Sequence, residues 1–261
     1  MMHDLQNALT QLRKTKPLIL CLTNLVTMDF MANGLLSLGA APIMSQDERE
    51  LEALVRMSHA VYLNIGTLDA DFIKRANLAV ELATSHHKPI ILDPVGAGAT
   101  PIRTTSARSL MMSADIIRGN ASEIMALLDD NNQTLGVESS HPVSDAKHHA
   151  ILLARRHDCT LVISGAIDFI TNGSQETQLG FGSALMPFVT GMGCTLTAVM
   201  AAFRAILPNA YEAAHLATAY YGLCGHLAAQ KTNQPGSFRT FFIDELYKAD
   251  FDSMRSIPHA I

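Results

Sequence analysis

Tryptophan is absent from the 261-residue chain, and charged residues make up only 16% of it. No apolar run approaches the roughly twenty residues that a membrane-crossing helix needs. The longest candidate, residues 195–203, is too short and ends at Arg204, so no membrane partner is expected. The opening stretch, MMHDLQNALTQLRKTK, lacks the apolar core of a signal peptide. Four cysteines stand at 21, 159, 194 and 224, and none forms a CxxC pair. That spacing argues against a zinc site and a thioredoxin-like motif. The net charge is −5, the pI is about 6.1 and no basic stripe stands out, so no nucleic-acid partner is expected. Together these absences give the expectation of a soluble protein in reducing, cytoplasmic surroundings.

Two nucleotide signatures are missing as well. No GxxxxGK[ST] occurs, which excludes a P-loop enzyme. The first strand-like run is not followed by GxGxxG. GAGAT (96–100) lacks the third glycine and runs into a proline, so a nicotinamide dinucleotide is disfavoured.

What is present is an apolar fraction of 48%, enough for a sizeable core. Short apolar runs alternate with helical patterns. LILCLT (18–23), AVYLNIG (60–66), PIILD (89–93), ADIIRGN (114–120) and TLVISG (160–165) read as strands. Several are apolar throughout, as strands covered on both faces are. MDFMANGLLSLG (28–39), DERELEALVRMS (47–58) and the segment from Asp69 carry helical spacing. DFITNG and QLGFG (168–182) suggest a hairpin, and the last third is mostly helical. At least five β-then-α units predict an α/β fold: three layers, with a mainly parallel sheet and helices on both faces. Residues 129–144 are polar and read as a surface excursion inside a single domain spanning 1–261. His86, His87, His148 and His149 sit in polar surroundings and read as solvated surface.

In open parallel sheets, ligands bind beyond the carboxyl ends of the strands. The residues expected there are Thr23 and Asn24, Met44, Asn64 with Gly66 and Thr67, Asp93 with Gly96, Arg118 with Asn120, and Ser164 with Gly165. Glycines, amides, hydroxyls, one acid and one arginine suit a phosphate site. Each alone has a structural reading: Asn24 as a helix cap, Asp93 before Pro94 as a turn, Gly96 and Gly98 as turn residues.

TGMGCTLTAVM (190–200) is the sharpest stretch. Gly191 and Gly193 allow a tight turn into a helix of small residues. The free N–H groups and partial positive charge of a helix N-terminus make an anion hole. Cys194 falls in the first turn, where a thiol pKa is expected to be lowered. The alternative is a buried helix with a glycine-rich entrance and an inert cysteine. In RGNASE (118–123), Arg118 suits phosphate, Asn120 or Ser122 can cap a helix, and Glu123 lies in its first turn. A glutamate there is ordinarily a capping-box residue. Beside a phosphate site it is also a candidate, with Asp93, to hold a hydrated Mg²⁺.

The chain resembles the hydroxyethylthiazole kinase family along nearly its whole length. The resemblance rests on CLTN (21–24), FMANGLLSLGAAPIM (30–44), LNIGTL (63–68), ILDPVGAGAT (91–100), RGNASEI (118–124), TGMGCTLTAV (190–199) and PGSF (235–238), in that order. It implies a ribokinase-like fold and ATP-dependent phosphorylation of the hydroxyl of 4-methyl-5-(2-hydroxyethyl)thiazole in thiamine biosynthesis and salvage, with Mg²⁺. Met44 and Gly191 match substrate-contacting positions, and Asn24 joins them as a substrate-binding candidate. Arg118, Ser164 and Asn120 are implied for ATP, and Glu123 and Asp93 for the metal. Gly191, Gly193 and Cys194 are implied for catalysis, with Cys194 where sugar kinases of the fold carry an aspartate base. A homotrimer is implied, with Met44 facing a neighbouring subunit's pocket. Three positions depart from the family: Ser164 for threonine, Met192 where smaller residues are usual, and Pro187 with Phe188 where relatives often carry Thr-Lys. Three alternatives stand beside this reading: a kinase of the same fold for another alcohol, a thiol enzyme using Cys194 with His215 or His226, and a catalytically silent binding protein of the same fold.

Overall fold

A computed structural model describes residues 1–128 and 142–258. The chain opens with helix α1 (Met2–Thr15), which buries Leu5, Ala8, Leu9 and Leu12 along one stripe. Strands β1 (Leu18–Leu22), β2 (Ala41–Ile43), β3 (Ala60–Asn64), β4 (Ile90–Asp93), β5 (Ile116–Asn120) and β6 (Thr160–Ser164) are all parallel. β7 (Asp168–Thr171) and β8 (Glu176–Leu179) add the expected antiparallel hairpin. The sheet order is β2-β1-β3-β4-β5-β6-β7-β8.

Successive strand residues feed two separate cores, which is why the strands read apolar throughout. Ile19, Cys21 and Tyr62 belong to one core, with α2 (Met28–Leu38), α8 (Met192–Arg204), α9 (Ala210–Ala229) and α10 (Pro235–Lys248). Leu20, Leu22, Val61 and Leu63 belong to the other, with α3 (Glu48–Met57), α4 (Ala70–Ser85), α5 (Pro101–Met111), α6 (Ala121–Ala126) and α7 (Pro142–His157). A short α11 (Phe251–Arg255) follows α10. The three layers and the ribokinase-like architecture match the expectation from sequence. The predicted excursion at 129–144 lies mostly outside the described residues. No helix among the described residues is long and apolar enough to cross a membrane.

Local chemistry places the helices that matter for the site. α4 starts at Asp69, whose carboxylate accepts from the Phe72 N–H. Gly34 lets α2 approach α8, because a β-carbon there would stand 2.6 Å from Thr195 Cγ2. β2 lies on one side of β1 and β3 on the other, so the direction of winding switches between β1 and β3. A crevice opens at such a switch point. The N-terminus of α8 comes down over it.

Candidate active site

The parallel strands end along one edge and bring the expected residues together there. Asn24 follows β1, Asn64 ends β3, Asp93 ends β4, Arg118 lies in β5 and Ser164 ends β6. A buried amide pair closes the switch point: Asn24 Nδ2 donates to Asn64 Oδ1 at 2.9 Å. The same Asn64 oxygen accepts from the Gly66 N–H, and its Nδ2 donates to the Tyr62 hydroxyl. Tyr62 in turn donates to the Cys194 carbonyl at 3.0 Å. This ladder ties two strand ends to the first turn of α8.

Gly191 is the N-cap of α8, with φ of 95°, and no side chain caps that end. Gly193 and Cys194 follow in the first turn, where backbone N–H groups have no partner within the helix. The helix starts at Met192, so both glycines shape the entrance as the sequence suggested. Met192 fits despite its size: it is buried, and its carbonyl accepts from the Tyr221 hydroxyl at 2.7 Å.

Arg118 crosses beneath this entrance. Its Nε donates to Ser164 Oγ at 2.6 Å, and its Nη1 lies 3.7 Å from Asp93 Oδ2. Serine in place of threonine therefore keeps the hydroxyl that the arginine uses. Asp93 is fully buried, and burial pushes its carboxyl up to about 6; the Glu123 charge adds to this and Arg118 opposes it. Thr197 donates to Asp93 Oδ2 at 2.9 Å, while Oδ1 is buried without a hydrogen-bond partner.

Asn120 and Glu123 form a full capping box on α6. Asn120 Oδ1 accepts from the Glu123 N–H, and Glu123 Oε2 accepts from the Asn120 N–H. Glu123 Oε1 accepts from Gly96 N–H at 2.9 Å, so the residue also fixes the turn after β4. Among the described residues no group of three or more histidines, cysteines or carboxylates could hold a metal.

One expectation is corrected. The Cys194 thiol pKa is raised, not lowered: desolvation dominates, and the Asp93 charge adds to it. The helix N-terminus is a local effect, and burial beside a carboxylate outweighs it. Asn24 also differs from a free substrate ligand, since its amide is spent inside the protein. Its Oδ1 accepts from the Thr27 N–H and hydroxyl, and its Nδ2 also reaches Cys194 Sγ at 3.4 Å. Met44 follows β2, which lies three strands from β4 and four from β5, the strands that carry Asp93 and Arg118. It lines a cavity of about 260 Å³ at the β1–β2 edge with Thr23, Leu25, Met28, Thr67 and Phe72.

Several residues of the site escaped the reading of single motifs. Tyr62 and Thr197 look like core residues in sequence. Arg103 binds the carbonyls of Ile65, Val95 and Gly66 and so locks the β3 and β4 loops together. Asp168, at the start of β7, accepts from the Gly165 N–H, and burial raises its carboxyl to about 6.

The sequence pattern that describes the hydroxyethylthiazole kinase family matches residues 9–252. The chain belongs to this family. It is 49% identical to hydroxyethylthiazole kinase of Chlamydia caviae, over 98% of both chains. It is 42% identical to the enzyme of that name from Aliivibrio salmonicida, over 97% of this chain and 95% of that one. The structure of the hydroxyethylthiazole kinase protein from Pyrococcus horikoshii OT3 superposes with a TM-score of 0.90 at 34% identity, over 98% of this chain and 97% of that one. Pyridoxal kinase from Staphylococcus aureus in complex with ADP shares the fold alone, with a TM-score of 0.61 at 18% identity over 78% of this chain and 86% of that one.

Proposed function

We propose that the protein transfers the γ-phosphoryl group of ATP to the primary hydroxyl of 4-methyl-5-(2-hydroxyethyl)thiazole, the thiazole-salvage step of thiamine biosynthesis. The observation that carries this reading is the uncapped N-terminus of α8 standing over Arg118 and Asp93 at the carboxyl ends of β5 and β4. Family membership supplies the acceptor. The cavity at the ends of β1 and β2 flanks Asn24, which reaches Cys194 on α8, and it suits a small ring, with Met28, Met44 and Phe72 as apolar and thioether surface.

In this reaction the alcohol oxygen forms a bond to the γ-phosphorus as the bridging bond to ADP breaks. The transition state is loose, so positioning and charge stabilisation dominate. The N–H groups of Gly193 and Cys194 hold the transferring oxygens, and Arg118, steadied by Ser164, takes nucleotide phosphate charge. Asn120 and Glu123 shape the neighbouring turn, and Asn120 is the exposed polar side chain at the end of β5 that would meet the nucleotide. The neutral Cys194 thiol is a poor base, which a loose transition state tolerates. It fills the position and leaves proton loss from the alcohol to a late stage, toward a phosphoryl oxygen or water.

Asp93 Oδ1, buried and unpartnered, fits a cation or its bound water. Glu123 keeps one lone pair on each oxygen beyond its backbone bonds. The pair suits a hydrated Mg²⁺ held chiefly by the nucleotide, which supplies charge neutralisation when bound.

The reading extends to a single kinase domain over 1–261, a cytoplasmic setting and a homotrimer with sites at subunit interfaces. Exposed Leu25 and Val26, beside the cavity that Met44 lines, support a partner covering this edge. The test is ATP-dependent phosphorylation of the thiazole alcohol, with a hydroxymethylpyrimidine and ribose as control acceptors. Preferential turnover of the thiazole is expected. Preference for either control would transfer the chemistry to another acceptor, and ATP-independent thiol chemistry would overturn it.

A further inference from the structure

Thr197 lies on α8, fully buried, one turn beyond Gly193. A threonine inside a helix ordinarily turns its hydroxyl back to the carbonyl four residues earlier. Here that carbonyl, of Gly193, is 3.2 Å away, but Asp93 Oδ2 is closer at 2.9 Å. The carboxylate is charged and the bond charge-assisted, so it takes the larger share of the single hydroxyl proton.

This bond has a consequence for the other carboxylate oxygen. Asp93 has no exposure to solvent, and Oδ1 finds no partner. A buried, unpartnered carboxylate oxygen is costly, and the side chain would gain by rotating to share its donors. Thr197 on one oxygen and Arg118 on the same side oppose that rotation. The result is a carboxylate with one committed oxygen and one kept open.

We propose that Thr197 is a positioning residue for phosphoryl transfer: it locks Asp93 to the helix that carries the anion hole, so that Asp93 Oδ1 stays available to the cation accompanying the nucleotide. The proposal rests on the kinase reading above. It differs from a packing role because the methyl of Thr197 contributes nothing to it. Only the hydroxyl matters, and it acts through Asp93.

The experiment uses Thr197→Val, which keeps the shape and removes the donor, and Thr197→Ser, which keeps the donor and removes the methyl. Thr197→Ala stands in if valine prevents folding. Two readouts are taken: steady-state kinetics, and the thermal stabilisation conferred by ADP with Mg²⁺ relative to ADP with a chelator. The valine variant is expected to lose roughly tenfold to a hundredfold in kcat, the scale of a misplaced reacting group, with the thiazole KM within about twofold. Its Mg²⁺-dependent stabilisation by ADP shrinks, and serine restores both. In an Asp93→Asn background, Thr197→Val has little further effect on ADP stabilisation. Overturning results are a valine variant with wild-type kcat and Mg²⁺-dependent ADP stabilisation, a serine variant as impaired as valine, or full additivity with Asp93→Asn. Wild-type protein with neither turnover nor Mg²⁺-dependent ADP stabilisation would refute the kinase reading itself, a distinct outcome.

Discussion

The guanidinium of Arg118 lies against the backbone of Gly193, so closely that a β-carbon added there would stand 2.9 Å from Cζ. The absence of a side chain at residue 193 thus lets a cation sit under the first turn of α8. The two glycines of the motif have different tasks. Gly193 has ordinary helical backbone and is needed for space. Gly191 is needed for its φ of 95°, and a β-carbon there would also meet Thr27 Cβ at 3.0 Å.

The glycine substitutions should therefore separate. Gly193→Ala displaces the flexible end of Arg118 while gaining helix propensity. It should leave the unfolding midpoint near wild type and lower kcat/KM for ATP by about a hundredfold. Gly191→Ala forces a strained backbone and should lose roughly 1–3 kcal/mol of stability. Urea unfolding combined with steady-state kinetics reads both, and equal stability losses would remove the distinction.

Cys194 should behave as a neutral, slow thiol. Cys21, Cys159 and Cys224 are buried and Cys194 only partly so, which makes it the accessible one. Its alkylation rate should rise with a midpoint above 9.0, because burial and Asp93 hold the proton on. Cys194→Ala should retain measurable turnover. A midpoint near 7 would restore the thiolate enzyme as a rival.

Asp93 gives a stability signature of its own. Its folded pKa of about 6 lies above the ordinary 3.8, so the folded state binds this proton more tightly than the unfolded chain. This group's contribution is most favourable at low pH. It falls as pH rises through the window between those two values, and is constant above it. The urea midpoint of the wild type relative to Asp93→Asn should therefore decline across that window. A relative midpoint that rises there would mean the carboxyl pKa is depressed in the fold.

Val26→Asp probes the apolar edge. Val26 is 71% exposed, and Leu25 beside it is 65% exposed. If a partner subunit covers them, a charge there should dissociate the assembly, as read by light scattering, and raise the thiazole KM more than the ATP KM. An unchanged mass would place the interface elsewhere.

Much of this site was legible because its signals are local. The apolar strand runs gave the sheet, and turn residues after each gave the strand-end inventory. Asn120 and Glu123, three residues apart, announced the capping box that forms. Helix α1 was not read from the sequence, because its polar composition masks the helical spacing of Leu5, Leu9 and Leu12. The remainder depends on contacts between distant segments. Nothing near Thr197 in sequence indicates that Asp93 will face its hydroxyl, and nothing near Tyr62 points to the Cys194 carbonyl. The direction of the Cys194 shift failed for the same reason: the helix terminus is local, whereas desolvation and the Asp93 charge arise from the packed fold.

The most direct measurement is a crystal structure with a non-hydrolysable ATP analogue, Mg²⁺ and the thiazole alcohol bound. The γ-phosphoryl oxygens are expected about 3 Å from the N–H groups of Gly193 and Cys194, the distance of a working oxyanion donor. Arg118 is expected on the phosphates and the thiazole ring in the cavity that Met44 lines, its hydroxyl toward the γ-phosphorus. A γ-phosphoryl group bound away from the α8 N-terminus, with Arg118 still paired only to Ser164 and Asp93, would contradict this arrangement.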